Sequence, residues 1–216
     1  MMIVKEIWRY PVKSMAGERL AEALLHDMGI RGDRLLHVED AHGRWITARS
    51  HPQLLGFHAR MNGDGVPLVD QLPWSSEQIQ REVEGVVGPG ARLVCSTSAE
   101  RFDVLPLLVA SDGAIAAFGY DGRRLRPNIV IAGVDGLAER NWPGKFLRIG
   151  KVVIAVQDLR SRCVMTTYDP DTLQQDIDVL RSIVGKFDGK LALNCAVVYG
   201  GVIREGDHVE LASDAE

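Results

Sequence analysis

Cysteine is scarce in this sequence, and the cysteines that are present form no paired motif. The chain has 216 residues and three cysteines, Cys95, Cys163 and Cys195, without a C-x-x-C pair. A sparse, odd set of cysteines indicates reduced thiols rather than a disulfide framework, so we expect a cytoplasmic protein. The 6 histidines are scattered without a close pair, which argues against a zinc site.

Long apolar runs and runs of basic residues are missing as well. No apolar stretch reaches the roughly 18 residues that a membrane-spanning helix needs, and the opening residues MMIVKEIWRYPVK lack the features of a signal peptide. The formal net charge is -4 at pH 7. Nucleic acids and anionic membranes both select a cationic face, so we expect neither as a partner. Local cationic clusters remain compatible with an acidic chain, and the arginines that form them are Arg123, Arg124, Arg126, Arg160 and Arg162.

Short strand-like segments separated by turn residues dominate what is present. The segment from Leu35 to Ala48 predicts a hairpin that turns at Gly43, and KFLRIGKVVIAVQDL predicts another around Gly150. The segment SSEQIQREVEGVVG predicts a short helix capped by Ser75 or Ser76. Many short strands with few helices favour an α+β fold that is mostly β and barrel-like.

Two further helices and the C-terminal strands follow from local patterns. LPLLVASDGAIAAFG predicts a strand and then a helix that Ser111 or Asp112 caps. Thr172 and Gln175 have the spacing of a capping box, which predicts that a longer helix begins there. LNCAVVYGGVIREGDHVEL predicts two strands on either side of Gly200. The apolar face of the longer helix is predicted from residues at helical spacing, namely Leu173, Ile177, Leu180, Val184 and Phe187.

The stretch RSRCVMTTYDP, from Arg160 to Pro170, raises a question about its cysteine. Free cysteine is usually a small buried hydrophobe, and this reading stays open for Cys163. Flanking arginines, however, stabilise a thiolate, which is the form that binds metals or attacks electrophiles. In a regular strand Arg162 and Cys163 would point to opposite faces, so the arginine assists the thiolate only if the strand ends or bends there. Cys95 and Cys195 lack such neighbours and are expected to lie in the core.

Two other motifs offer groups that bind anions or heterocycles. In YPVKS, Lys13 and Ser14 could bind an anion through an ammonium and a hydroxyl, although a solvated lysine in a turn is the simpler alternative. In RPNIV, Pro127 holds Arg126 extended, and Asn128 offers amide donors and acceptors, although plain strand entry would explain the motif equally well.

Together these motifs resemble the molybdenum cofactor sulfurase C-terminal (MOSC) family, in particular the group of the mitochondrial amidoxime reducing component and its bacterial counterparts. The matching segments are YPVKSMAG, GDR, WITAR, RPNIVIAG and SRCVMTTYDPDT, and their order agrees along nearly the whole chain. The resemblance implies a MOSC-type β-barrel domain over residues 101–216 and an N-terminal MOSC β-barrel subdomain over residues 1–62. A linker region with a short helix, residues 63–100, would join them.

The resemblance also implies a bound pterin–molybdenum cofactor with Cys163 as the catalytic thiolate ligand of the metal. A thiolate is a soft ligand, which agrees with this role. The remaining cofactor-binding residues implied by position are Lys13, Ser14, Arg34, Ser111, Arg126, Asn128, Ser161 and Arg162. A phosphate group needs several converging cations and donors, so we predict that the charged residues meet in one cleft between the two halves. The sequence departs from the family pattern at Leu125 and Asn194, where aromatic residues are customary.

By resemblance, the expected function is the reduction of a small N-hydroxylated substrate at the molybdenum cofactor. The chain contains no run of cysteines suited to a ferredoxin cluster before Glu216, so electrons are expected from a separate redox protein. The alternative is a non-catalytic module that carries the cofactor or transfers its sulfur, with Cys163 as the transfer thiol.

Overall fold

The computed structural model describes residues 1–215, and within them the chain forms seventeen strands and three α-helices. The strands are β1 (Met2–Arg9), β2 (Glu18–Leu20), β3 (Glu22–His26), β4 (Gly29–Ile30), β5 (Leu36–Glu39), β6 (Trp45–Ile46), β7 (Ala59–Met61), β8 (Pro67–Val69), β9 (Leu72–Pro73), β10 (Arg92–Cys95), β11 (Leu107–Ser111), β12 (Ile129–Ala132), β13 (Phe146–Ile149), β14 (Val152–Ser161), β15 (Lys190–Tyr199), β16 (Gly201–Arg204) and β17 (His208–Ala212). The helices are α1 (Glu77–Val87), α2 (Asp112–Phe118) and α3 (Ile177–Phe187).

Seven strands close into a barrel, in the order β12, β11, β15, β14, β13, β17 and β1. The barrel closes because β1 pairs antiparallel with β12, with Ile3 opposite Ala132 and Ile7 opposite Ile129. Inside lies a core of fully buried aliphatic side chains that alternate along the strands, among them Val4, Ile7, Val109, Ile131, Leu147, Ile154 and Leu193. The predicted α+β fold, mostly β and built on a MOSC-type barrel, is therefore confirmed.

A second core lies beside the barrel and is built mainly from residues 12–93. Helix α1 buries Ile79 and Val83 in it, and Val12 and Leu36 are fully buried in the same cluster. The boundaries at residues 62 and 100 stay a prediction. The structure adds that residues 63–100 contribute helix α1, strands and buried side chains to this core, and that β1 belongs to the barrel.

Several locally encoded elements form as predicted. The first hairpin pairs β5 with β6 and the second pairs β13 with β14. Ser76 caps α1, because its hydroxyl accepts the N–H of Ile79, and Ser111 caps α2 in the same way through Ala114. These elements depend on turn and cap residues that act over a few positions.

The predicted start of the third helix is wrong, and its predicted apolar face is confirmed only at Phe187. Helix α3 begins at Ile177 with Asp176 as its cap, not near Thr172. Leu173 has a left-handed backbone with φ of 58°, and the Thr172 hydroxyl binds Asp169 in the preceding turn. The face that is buried consists of Val179, Ile183 and Phe187, whereas Ile177 and Val184 are 51% and 58% exposed.

The C-terminal segment forms three strands rather than the two that were predicted. Strand β15 ends at Tyr199, and β16 leaves it to pair with β3. Strand β17 then returns to the barrel, where it pairs with β1 and β13. The β16–β3 pairing joins segments about 180 residues apart in sequence, so a local pattern could not reveal it.

Among residues 1–215, none of the α-helices combines the length and the apolar character that crossing a bilayer requires.

Candidate functional site

A cleft of about 120 Å³ lies where the barrel and the second core meet. Of the nine site residues predicted from sequence, eight line it: Lys13, Ser14, Arg34, Arg126, Asn128, Ser161, Arg162 and Cys163. The predicted convergence of distant charged residues on one cleft between the two halves is thus confirmed. Their role in holding a cofactor stays a prediction.

The ninth residue, Ser111, lies elsewhere in the fold. It is fully buried at the end of β11, where its hydroxyl accepts the Ala114 N–H at 3.0 Å. Its own N–H donates to the buried Glu139 carboxylate at 2.7 Å. Ser111 therefore acts as the N-cap of α2, and it is not among the residues that line the cleft, so the structure does not support its predicted contact with a cofactor.

Cys163 sits at the point where the chain leaves the barrel. Strand β14 ends at Ser161, so Arg162 and Cys163 no longer alternate as they would in a regular strand. A single turn of 3₁₀ helix follows over Val164–Thr167, and the Cys163 carbonyl accepts both the N–H and the hydroxyl of Thr166, at 3.1 and 2.9 Å. The thiol is half-buried and faces the cleft.

Arg49, a cation that the sequence reasoning did not single out, interacts with this thiol. A hydrogen bond to the Cys163 side chain is the largest cause of a raised pKa for Arg49, and the Asp103 charge acts in the same direction against burial. Arg162 instead donates to the Leu125 carbonyl at 2.7 Å, and its Nε is buried with no partner. Arg49 ends the WITAR motif, which was noticed only as part of the family resemblance.

Three of the lining residues have a left-handed backbone that is unusual for residues other than glycine. The φ angles are 71° at Ser14, 48° at Arg34 and 55° at Arg126. The prediction that Pro127 keeps Arg126 extended is therefore wrong, because Arg126 ends a turn of 3₁₀ helix over Gly122–Leu125 in the left-handed conformation. Such conformations cost on the order of 1–3 kcal/mol each and tend to cluster at functional sites. All three residues line one cleft, which indicates that the surrounding fold imposes these unfavourable backbone conformations and thereby fixes the positions of the side chains.

Two of these arginines pack against one aromatic ring. The Arg34 and Arg126 guanidinium carbons lie 4.8 and 4.3 Å from the centre of the Tyr10 ring. Burial raises the pKa of Tyr10 to about 12 although both arginines act to lower it. Burial also lowers the pKa of Arg126 to about 10, which leaves it a cation at neutral pH.

Asn128 fixes Arg34 rather than presenting a free amide to the cleft. Its side-chain oxygen accepts from Arg34 at 3.2 Å and from the Leu108 N–H at 3.1 Å. Its amide nitrogen donates to the Trp8 carbonyl at 3.2 Å. Because the residue is 1% exposed, most of its hydrogen-bonding capacity is used inside the protein.

The two departures from the family pattern have different surroundings. Leu125 is fully buried in a small core beneath α2 and α3. Asn194 lines the cleft, where its amide donates to Asp158 at 2.6 Å and its oxygen accepts from Arg160 at 3.4 Å. Asn194 therefore supports Arg160 from the position where an aromatic ring is customary.

Asp103 is the most prominent lining residue that sequence reasoning missed. Its carboxylate accepts from Lys13 at 2.7 Å, from Arg49 at 2.9 Å and from Arg160 at 3.0 Å. Lys13 also donates to the Arg101 carbonyl at 2.9 Å. Nothing in the segment RFDVLP marks this aspartate, because its partners come from remote parts of the chain.

The donor set fits an anionic cofactor that brings its own metal. Within residues 1–215 no three His, Cys, Asp or Glu side chains are grouped so as to hold a bare ion. The cleft instead offers a single thiol, several cations and a buried Arg162 Nε without a partner. A thiolate supplies one soft ligand to a metal, and converging cations suit a phosphate group.

Comparison with known proteins identifies the family of this chain. Residues 1–90 match the model of the MOSC N-terminal beta barrel domain, and residues 89–210 match that of the MOSC domain. The chain is 26% identical to mitochondrial amidoxime reducing component 2 of Macaca fascicularis, over 83% of this chain and 71% of the relative. It is 27% identical to human mitochondrial amidoxime-reducing component 1, over 78% and 67%.

A solved structure supports the fold alone. The crystal structure of the YUAD protein from Bacillus subtilis aligns with a TM-score of 0.51 at 12% identity, over 99% of this chain and 97% of that one. The two family models together span nearly the whole chain, and the second covers more than half of it. The chain therefore belongs to the MOSC family, which is associated with the molybdenum cofactor.

Proposed function

We propose that this protein binds the molybdenum cofactor through Cys163 and reduces small N-hydroxylated compounds with electrons from a separate redox protein. The observation that carries the proposal is a half-buried thiol in a cleft where arginines and a lysine converge from both halves of the chain. The names of the relatives, amidoxime reducing components, add support for the substrate class.

In the proposed reaction the N–O bond of the substrate breaks. The substrate takes up two electrons and two protons, so that an amidoxime is converted to an amidine and one molecule of water. When bound, the cofactor would supply a metal that changes oxidation state and so passes the two electrons from the external donor to the substrate. The protein residues bind, orient and shield the reacting groups.

The cations divide into two sets in this proposal. Arg126 and Arg162 would hold the anionic part of the cofactor. Within residues 1–215, Arg126 packs on Tyr10 and forms no salt bridge, and the buried Arg162 Nε has no hydrogen-bond partner. Arg49 would stabilise the anionic form of the Cys163 side chain. The hydrogen bonds from Thr166 to the Cys163 carbonyl fix the backbone that carries the thiol.

Apolar side chains would exclude water from the thiol side of the cleft. Phe102, Leu105 and Met165 line the same space as Cys163. Removing water strengthens the interactions of nearby charges. A cytoplasmic location, expected from the sparse cysteines, forms part of the same proposal.

The test compares Cys163→Ser with Cys95→Ser, both purified from a host that makes the cofactor. Cys195 is buried as expected, whereas the expectation that Cys95 lies in the core is wrong, because Cys95 is exposed at the end of β10. Cys95 lies outside the cleft lining and therefore serves as the matched control. We expect Cys163→Ser to keep its circular dichroism spectrum but to lose most bound molybdenum and the reduction of benzamidoxime by a chemical electron donor. Equal metal content and equal activity in the two variants would contradict the proposal. Molybdenum bound by the wild type without turnover would favour the alternative of a cofactor carrier.

A second experiment concerns the electron source. The chain has three cysteines, whereas a [2Fe–2S] cluster of the ferredoxin kind needs four. Loaded protein mixed with NADH or NADPH and benzamidoxime should give no steady turnover until a flavin or iron–sulfur reductase is added. Steady turnover with the nicotinamide alone would rule out the need for a separate donor.

A further inference from the structure

Three cations from distant parts of the sequence meet on one carboxylate in the cleft. Lys13 and Arg49 come from the first half of the chain and Arg160 from the end of β14, and all three lie within 3.0 Å of Asp103 oxygens. The side chains of Lys13, Arg160 and Asp103 are only 13%, 18% and 30% exposed. At such sites charge–charge interactions are stronger than on an open surface.

This arrangement has the form of an occupied oxyanion site. A carboxylate that accepts charge-assisted hydrogen bonds from three cations makes the contacts that a phosphate or sulfate oxygen would otherwise make. The ammonium of Lys13 is also tied to the Arg101 carbonyl, so little of its capacity is left for an outside ligand. By contrast Arg126, in the same cleft, packs on Tyr10 and forms no salt bridge with any acidic side chain in the described part of the chain, residues 1–215.

We propose that Asp103 is a specificity-determining residue, whose carboxylate fills the cluster of Lys13, Arg49 and Arg160 and thereby keeps small inorganic oxyanions out of the cleft. The proposal rests on the proposed function in one respect, namely that the cleft serves an anionic ligand. A free phosphate ion would have to displace Asp103 and would find only the same three cations in return. A larger ligand that also contacts Arg126, Arg162 and the Cys163 thiol has further interactions to offset that loss.

The experiment measures binding of inorganic phosphate to purified wild type and Asp103→Asn by isothermal titration calorimetry at neutral pH. Removing the internal carboxylate frees three cations, so we expect phosphate to bind Asp103→Asn at least about tenfold more tightly than wild type, which corresponds to about 1.4 kcal/mol. Added phosphate should also raise the melting temperature of Asp103→Asn more than that of the wild type.

Three further variants separate the role of charge from the role of shape. Asp103→Glu keeps the negative charge and should bind phosphate as weakly as wild type. Asp178→Asn removes a carboxylate that pairs with Arg181 on the exposed face of α3, and should leave phosphate affinity unchanged. Asp103→Ser is a second neutral variant, to be used for the same comparison if Asp103→Asn does not fold.

The outcomes distinguish failure of this inference from failure of the proposed function. If the wild type binds phosphate measurably and the neutral variants bind it no more tightly, the proposed role of Asp103 is wrong. The proposed function is not affected by that result. No phosphate binding by any folded variant overturns that role and also the idea that these cations serve an anionic ligand. Tighter binding in Asp103→Glu as well would show that the charge of Asp103 is not what excludes phosphate.

Discussion

Arg34 reaches the cleft because a buried aspartate holds it there. The Asp33 side chain is fully buried, and its carboxylate pairs with Arg34 and accepts the Tyr10 N–H at 2.7 Å. Arg34 in turn contacts the Tyr10 ring and Asn128. Asp33 therefore orients Arg34 and also fixes the backbone at Tyr10, directly after the end of β1.

Replacing Asp33 should lower the free energy of unfolding substantially. Asp33→Asn removes the charge that balances Arg34 in a buried setting, and breaking such a pair costs on the order of 3 kcal/mol of unfolding free energy. Urea denaturation followed by tryptophan fluorescence measures the loss. Asp64→Asn changes an exposed aspartate in a turn and is the control, with an expected effect within about 0.5 kcal/mol. A loss at Asp33 as small as that of the control would show that the pair contributes little.

Asp103 should also make stability depend on pH in the acid range. Burial by itself would raise the pKa of Asp103, but the hydrogen bond and charge of Lys13, followed by the charges of Arg49 and Arg160, outweigh burial and lower the pKa from 3.8 to about 2. A carboxyl whose pKa is lower in the folded state stabilises the fold fully above its unfolded pKa of about 4. That contribution is then lost as the pH falls towards the folded pKa.

The difference in unfolding free energy between wild type and Asp103→Asn isolates this effect. We expect the difference to be constant from about pH 7 to about pH 5, and to shrink below about pH 4. Urea unfolding at a series of pH values measures it. A difference that stays constant down to about pH 2.5 would mean that the pKa of Asp103 is not lowered in this way.

Among the secondary-structure elements, side-chain hydrogen bonds at the helix ends decide where α2 and α3 begin. Ser111, directly before α2, caps that helix with its hydroxyl. Ser111 is also the last residue of β11, which lies in the barrel between β12 and β15. Helix α3 starts only after the turn that follows Cys163, because Asp169 binds the backbone and hydroxyl of Thr172. The turn thereby keeps the segment after Cys163 from winding into the helix.

Ser111→Ala tests whether this serine is a cap or a cofactor contact. Loss of an N-cap hydroxyl costs about 1 kcal/mol of unfolding free energy, and we expect this cost together with an unchanged molybdenum content. Ser76→Ala, at the start of α1, should cost a similar amount, whereas exposed Ser75→Ala should cost almost nothing. A fall in bound molybdenum in Ser111→Ala alone would revive the role that the sequence implied.

At the scale of the whole molecule, β1 joins the two cores. It closes the barrel against β12 and β17, and the residues directly after it, Val12 and Met15, are buried in the second core. The cleft lies at this junction, so its lining depends on both cores being folded. Met165 and Tyr168, just after Cys163, pack against the second core and tie the halves together again.

Ile7→Ala should therefore weaken both cores at once. Ile7 is fully buried in the barrel, and truncating such a side chain to alanine costs about 2–5 kcal/mol. We expect one cooperative urea transition at lower concentration, with coincident circular dichroism and tryptophan signals. Leu24→Ala, at a residue that is 44% exposed on β3, is the matched control and should change little. Two separate transitions in Ile7→Ala would show that the cores unfold independently.

Structural features that depend on only a few neighbouring residues were predictable before the fold was known. Hairpins at Gly43 and Gly150 and the cap at Ser76 follow from turn and capping chemistry, which is local. The motif around Cys163 identified the thiol because its arginine neighbours are adjacent in sequence. The resemblance then gathered eight residues that do lie together in the cleft.

The arrangement of charge within that cleft, by contrast, depends on contacts between remote parts of the chain. Asp103 lies 90 residues from Lys13, 54 from Arg49 and 57 from Arg160, so no local pattern could reveal their ion pairs. Ser111 carried a family match, yet the packing of α2 turned its hydroxyl to the helix end. Long-range pairing and burial determine which charges are compensated, because the strength of a charge interaction depends on distance and on exclusion of water rather than on order in the chain.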